Sequence, residues 1–208
     1  MYLDRELKND PFQLGISSHH YWFTFCEYLF EILKKSNNTI KNYFFGCELE
    51  FYIKSFAKDK EGSIQKILNE LRQSCDFILD IKNEIGTNQF EVVFKVCDSP
   101  VILADYVYMF QYNAKEIAKS NMSFIYFEAK PFFEEPPSSM QFSFSFYDEN
   151  NTNILNYERQ DWLDCIISSM LHHLPSSVKF FAPTVRCYDR FSQIECIKKY
   201  RNSPSTIS

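Results

Sequence analysis

Glu48 and Glu50 place two carboxylates two residues apart in a stretch, Phe45-Gly46-Cys47-Glu48-Leu49-Glu50-Phe51, whose other residues favour burial. In an extended strand such residues share a face. Two unit charges about 4 Å apart repel by roughly 1 kcal/mol in water and several-fold more at a protein-like dielectric, so a cation is their natural partner. Two further carboxylates follow, Glu84 in a turn region and Glu91 within Asn88-Gln89-Phe90-Glu91-Val92-Val93-Phe94. Oxygen-only ligands on stiff strands favour a hard ion such as magnesium or manganese. Each feature has a plainer reading: the Glu48/Glu50 pair as the wet face of a half-exposed edge strand, and Glu84 as a solvated turn residue.

Other groups that could carry chemistry are sparse. His19-His20 and His172-His173 are adjacent pairs at helix edges, and adjacent residues diverge on a helix, which argues against a shared metal. The seven cysteines, Cys26, Cys47, Cys75, Cys97, Cys165, Cys187 and Cys196, are scattered and form no CxxC pair, so neither a zinc site nor a disulfide framework is indicated. With 4 glycines in 208 residues and no glycine-loop pattern, the two common phosphate-cradling loops are absent from the sequence. A net charge of -5 without a basic cluster argues against nucleic-acid binding, whose affinity comes largely from phosphate neutralisation. No apolar run reaches the roughly 18–20 residues of a membrane span, and the polar start lacks a signal-peptide core. These features predict a cytoplasmic protein. Hydrophobic content of 45% with 22 Phe and 13 Tyr predicts a well-filled core.

The elements that would position the carboxylates follow from periodicity. Trp22, Phe25, Leu29 and Ile32 recur at helical spacing, ending near Ser36-Asn37-Asn38. A strand over residues 43–53 carries Glu48 and Glu50. After a polar loop over 58–62, Ile64, Ile67, Leu68 and Leu71 mark the apolar face of a second helix. Strands over 77–82 and 90–96 are joined through Gly86-Thr87-Asn88. Ser99-Pro100 opens the helix expected to be longest, with Leu103, Val107, Phe110, Ala114 and Ile117 inward. A strand is expected over 122–130, a proline-bounded loop over 131–137, and a strand over 140–146. That last strand sets Phe142, Phe144 and Phe146 on one face and Gln141, Ser143 and Ser145 on the other. A turn-rich loop then leads to a helix over 159–173 with Trp162, Ile166 and Met170 inward, and irregular chain beyond Pro175. The pattern predicts an α+β fold: a largely antiparallel, curved sheet with helices on one face.

In this order the segments resemble the catalytic domain of glutamine synthetase. Gly46-x-Glu48-x-Glu50-Phe51 resembles its first metal strand, and Asn88-Gln89-Phe90-Glu91 its GQxE segment. Ala104-Asp105, Gln111-Tyr112 and Lys115-Glu116-Ile117-Ala118 resemble its long helix, and Phe127-Glu128-Ala129-Lys130-Pro131-Phe132 its FMxKPF segment. The run from Pro137 to Phe146 falls where the family has GSGMHxHxSL, and Pro183 to Phe191 where it has PTxNSYKRL. The resemblance divides the chain into a lead-in over 1–18, a partial catalytic domain over 19–191 and a tail over 192–208.

The resemblance implies ATP-dependent ligation of glutamate to ammonia through a γ-glutamyl phosphate. It places one Mg2+ or Mn2+ on Glu50, Glu84 and Glu91, and a second on Glu48 and a histidine that is Gln141 here. The family histidine that helps hold ATP is Ser143, followed on the same face by Ser145. Its glycine-bearing substrate loop is replaced by Pro136-Pro137, and proline lacks a backbone donor. Arg190 keeps the place of a phosphate-binding arginine, where a surface salt bridge is the alternative. The family's small N-terminal domain, which completes a neighbouring subunit's site, exceeds what eighteen lead-in residues supply. These departures imply a shortened, degenerate family member with impaired or lost activity. Two alternatives stay open: a residual enzyme that borrows parts from a full-length family partner, or a catalytically silent interaction module that retains the fold. A Phe-rich face left uncovered would favour oligomerisation.

Overall fold

The computed structural model describes residues 18–36, 39–155 and 160–192. Its elements run α1 (Ser18–Ser36), β1 (Asn42–Ser55), α2 (Lys60–Ser74), β2 (Ile78–Asn83), β3 (Gln89–Phe94), α3 (Pro100–Ser120), β4 (Ser123–Tyr126), β5 (Met140–Tyr147), α4 (Gln160–Phe181) and α5 (Val185–Ser192). The lead-in expected over 1–18 falls, except for Ser18, outside the described residues.

A five-stranded antiparallel sheet is built around β1. The order is β2-β3-β1-β4, and β5 pairs with the first half of β1 while β4 pairs with its end. β1 is therefore an interior strand, which disposes of the edge-strand reading of Glu48 and Glu50. Alternation along β1 separates the two faces. Tyr43, Phe45, Cys47, Leu49, Phe51 and Ile53 are buried against the helices. The opposite face carries Gly46, Glu48, Glu50, Tyr52 and Lys54. Phe110 of α3 packs its ring 5.6 Å from both Phe51 and Phe94, and the small Ala114 and Ala118 let α3 lie close to the sheet. Phe30 of α1 sits 5.5 Å from the rings of Tyr43 and Phe45, so α1 joins α2 and α3 on the same side. Burying such aromatic side chains stabilises by roughly 1.5–3 kcal/mol each.

Helix starts follow their caps. Ser99 Oγ accepts from Val101 N at 3.3 Å, with Pro100 in the first turn, as the sequence predicts. Asp59, placed by the sequence in the polar loop, caps α2 instead by accepting from Gly62 N at 2.9 Å.

Three expectations are corrected. The strand expected over 122–130 ends at Tyr126, and residues 127–139 form an irregular, bent connection whose polar groups turn toward β1 and β3 rather than a ladder. The last long helix does not stop before Pro175: α4 runs through it to Phe181 and, at 22 residues, exceeds the 21 of α3. Proline removes one intrahelical bond, but the carbonyl it deprives belongs to exposed Leu171, where water can serve, and Ser176 Oγ adds a bond to His173 O at 2.8 Å. Nor does α4 bury the stripe expected of it. Trp162 packs against the core, Ile166 is half-buried, and Met170 is 58% exposed.

Candidate functional site

The face of the sheet away from the helices gathers the carboxylates. Across the β1–β3 ladder Glu50 stands opposite Glu91, Glu48 opposite Val93 and Tyr52 opposite Gln89. Across the β1–β5 ladder Glu48 stands opposite Gln141, Gly46 opposite Ser143 and Phe44 opposite Ser145. Directly opposed residues share a face with Cβ atoms roughly 5 Å apart. Glu48, Glu50, Glu91, Gln141, Ser143 and Ser145 therefore share one surface. Gly46 makes room for that pairing, since a Cβ there would lie 2.7 Å from Ser143 Oγ.

Glu84 follows β2, and its backbone N donates to Gln89 O at 2.9 Å, extending the ladder past Asn83. Burial raises its carboxyl above the ordinary carboxylate range, and the charges of Glu50 and Glu48 add to the shift. Glu91 is affected more strongly. It is 7% exposed, and burial, then the charges of Glu48 and Glu84, push it up to about 7. Lys82, its partner in the β2–β3 register, opposes that shift from 3.9 Å. The charges of Glu48 and Glu50 thus reach both Glu84 and Glu91.

Glu50 is held differently. Its Oε1 accepts from Ser139 Oγ at 2.7 Å, and its Oε2 accepts from Ser139 N at 3.0 Å and Gln89 Nε2 at 3.3 Å. Gln89 also donates to Pro137 O at 3.1 Å, and buried Tyr52 donates its hydroxyl to Pro136 O at 2.7 Å. Lys130, 5% exposed, donates to Glu135 O, and Thr87 N donates to the Glu135 carboxylate at 2.9 Å. Residues 136–139 are in this way strapped across the carboxylate surface. The sequence singled out neither Ser139 nor Tyr52 as a site residue. Tyr52 had a legible signal, since it continues the two-residue alternation of Glu48 and Glu50. Ser139 had none, because its role depends on a contact 89 positions back along the chain.

Arg190 lies in α5, half-buried and one turn beyond Arg186. Arg186 ties this helix to the strap's base by donating to Lys130 O at 3.1 Å. The rings of His172 and His173 sit 4.9 Å apart on exposed α4, while the side chains of His19 and His20 are outside the described residues.

By donor type the surface suits a hard divalent cation. By arrangement it does not: both oxygens of Glu50 are committed to Ser139 and Gln89, and among the described residues no three His, Cys, Asp or Glu side chains form a ready ligand set. No helix among the described residues is long and apolar enough to cross a membrane.

Comparison with known proteins agrees with the fold. No curated protein sequence matches the chain. Among solved structures, a novel glutamine synthase homolog superposes with a TM-score of 0.64 at 17% identity, over 81% of this chain and 43% of that one. GmaS without ligand gives 0.61 at 15% identity, over 73% and 42%. The Plasmodium falciparum glutamine synthetase gives 0.54 at 16% identity, over 65% and 35%. The chain thus spans less than half the length of these relatives. The family profile described as "Glutamine synthetase, catalytic domain" matches residues 51–199, beginning just after Glu50 and taking in β2 to β5 and both C-terminal helices. On that match this chain belongs to the glutamine synthetase family, through its catalytic domain.

Proposed function

We propose that this chain is a glutamine synthetase-type domain in which ATP-dependent ligation of glutamate to ammonia is impaired or lost, its carboxylate surface persisting as structure. The observation that carries this reading is the cross-strand pair Glu48 and Gln141. A neutral amide stands beside Glu48 where the motif has an imidazole, and amide oxygen is a weaker ligand than histidine nitrogen for a divalent ion. Ser143 replaces the second histidine of the same motif one step along the face, opposite Gly46. A short hydroxyl there lacks the reach and the ring of a nucleotide-contacting histidine. Each lost contact to a transferring phosphoryl group is worth a few kcal/mol of barrier, about a hundredfold in rate.

The test is ADP release with ATP and manganese, with and without glutamate and ammonia. A rate unchanged by glutamate and ammonia is expected. Release that depends on both would overturn the reading.

A second reading is a residual enzyme retaining one metal on Glu50, Glu84 and Glu91, with Arg190 meeting phosphate, or one completed by a further copy or a longer family partner. The carboxyls of Glu84 and Glu91, raised first by burial and then by the neighbouring glutamates, favour it, because a cation offsets both the desolvation and the repulsion. Manganese titration of wild type and Glu50→Gln, with and without ATP, separates the two. Micromolar binding abolished by the substitution supports the residual enzyme.

A further inference from the structure

We propose that the strap over residues 136–139 is a built-in replacement for a cation at Glu50, and that a divalent ion competes with Ser139 for this carboxylate. Ser139 engages both carboxylate oxygens, through Oγ at 2.7 Å and through its backbone N at 3.0 Å, in a two-pronged grip reinforced by Gln89 Nε2 at 3.3 Å. Donors to an ionised oxygen form the stronger class of hydrogen bond. The grip is reciprocal, because Glu50 N donates back to Ser139 O at 2.9 Å.

The strap is also anchored independently of Glu50. Tyr52 Oη holds Pro136 O at 2.7 Å, Gln89 Nε2 holds Pro137 O at 3.1 Å, and Ser138 N donates to Ala129 O at 2.9 Å. Pro136 and Pro137 fix φ and reduce the entropy lost on ordering the segment. Hydroxyl and amide donors satisfy the Glu50 oxygens without adding net charge. Ser139 and Gln89 occupy most of the acceptor positions of the carboxylate, so a cation on the same oxygens competes with the strap and weakens its hold.

This inference rests on reading the surface as the counterpart of the family's metal face, but its test does not use ligation. Manganese alone is titrated calorimetrically into wild type, Ser139→Ala and Ser139→Thr, and thermal melts are recorded without metal. Ser139→Ala is expected to lower Tm and yet bind manganese about tenfold more tightly, as loss of one charge-assisted bond of about 1.4 kcal/mol implies. Ser139→Thr keeps the hydroxyl and should follow the wild type, and in a Glu50→Gln background the effect of Ser139→Ala on affinity should vanish. Opposite movement of stability and metal affinity is the signature that a merely structural serine would not give. Equal or weaker manganese affinity in a folded Ser139→Ala, or no binding to any of the three proteins, would overturn the proposal. An active ligase showing the expected shifts would overturn only the proposed function, and an inactive chain without them only this inference.

Discussion

Glu50 and Glu91 face each other across the β1–β3 ladder, yet one carboxylate accepts three hydrogen bonds while the other, among the described residues, has a lysine 3.9 Å away. Glu50 accepts from Ser139 and Gln89, whereas Lys82 Nζ lies 3.9 Å from Glu91 Oε1. The asymmetry has a physical origin in position. Glu50 lies beside the start of β5, where the incoming chain brings a backbone amide and a hydroxyl, while Glu91 lies between β1 and β2, where the neighbours are Lys82 and other carboxylates. Burial with little compensation favours the neutral form of a carboxyl, as at Glu91.

That difference makes stability depend on pH through Glu91. Its carboxyl is raised to about 7 in the folded chain from an ordinary value of 4.5, so the folded state binds the proton more tightly than the unfolded state does. Stability should fall as pH rises from 4.5 through 7 and level off above, a slope opposite to that of a salt-bridged carboxylate. Glu91→Gln should remove this dependence and stabilise the protein at pH 8 by on the order of 2–3 kcal/mol. Urea denaturation of both proteins at pH 5 and pH 8 checks it, and parallel pH profiles would contradict it.

Much of this arrangement was legible in the sequence, for definite reasons. A two-residue period along residues 43–53 gives the buried and open faces of β1, and the same period in β5 separates Phe144 and Phe146 from Gln141, Ser143 and Ser145. Ser99-Pro100 states where α3 begins, because a cap is a local interaction. What was not legible was non-local or solvent-determined. The end of β4 at Tyr126 is set by the strap's tertiary bonds, not by the β propensity of the following Phe127. The course of α4 past Pro175 follows from exposure, which leaves the interrupted turn open to water, and apolar periodicity alone does not reveal that Met170 has nothing to pack on.

The two glycines on the carboxylate surface should differ in their tolerance of alanine. At Gly86 a Cβ would clash with Tyr52 Oη and lie 2.6 Å from Gln89 Oε1, both fixed by hydrogen bonds to the strap or the turn. At Gly46 it would meet Ser143 Oγ at 2.7 Å, which can rotate away on a strand exposed at that point. Gly86→Ala should cost about 3 kcal/mol and Gly46→Ala about 1 kcal/mol, with Ser143→Gly relieving the second. Thermal or urea denaturation ranks the pair, and a larger loss for Gly46→Ala would show that β1–β5 pairing is the more rigid part.

Along α4, one aromatic anchor should outweigh the rest of the apolar stripe. Trp162 packs against the core, whereas Met170 and Leu171 are 58% and 63% exposed. Trp162→Ala should cost about 2–3 kcal/mol through lost burial, while Met170→Glu should stay within roughly 0.5 kcal/mol of wild type. Denaturation midpoints at equal protein concentration decide between this and a stripe that carries stability along its whole length.

Tyr52 links the strap to the sheet and should report on both. Its side chain is fully buried, and its hydroxyl donates to Pro136 O at 2.7 Å, so Tyr52→Phe deprives a carbonyl of its donor without opening a cavity. A neutral bond of this kind contributes about 1 kcal/mol net, and the stranded carbonyl adds to the loss where water cannot reach it. The ring should remain in place, because its edge-to-face contact with Phe132 at 5.3 Å does not involve the hydroxyl. Tyr52→Phe is therefore expected to lower stability by about 1–2 kcal/mol, with the loss concentrated in the strap. Amide hydrogen exchange locates it. Faster exchange at Ser138 and Ser139, with the β1–β3 ladder still protected, is the expected pattern, and uniform loosening of the sheet would show instead that Tyr52 supports the core rather than the strap.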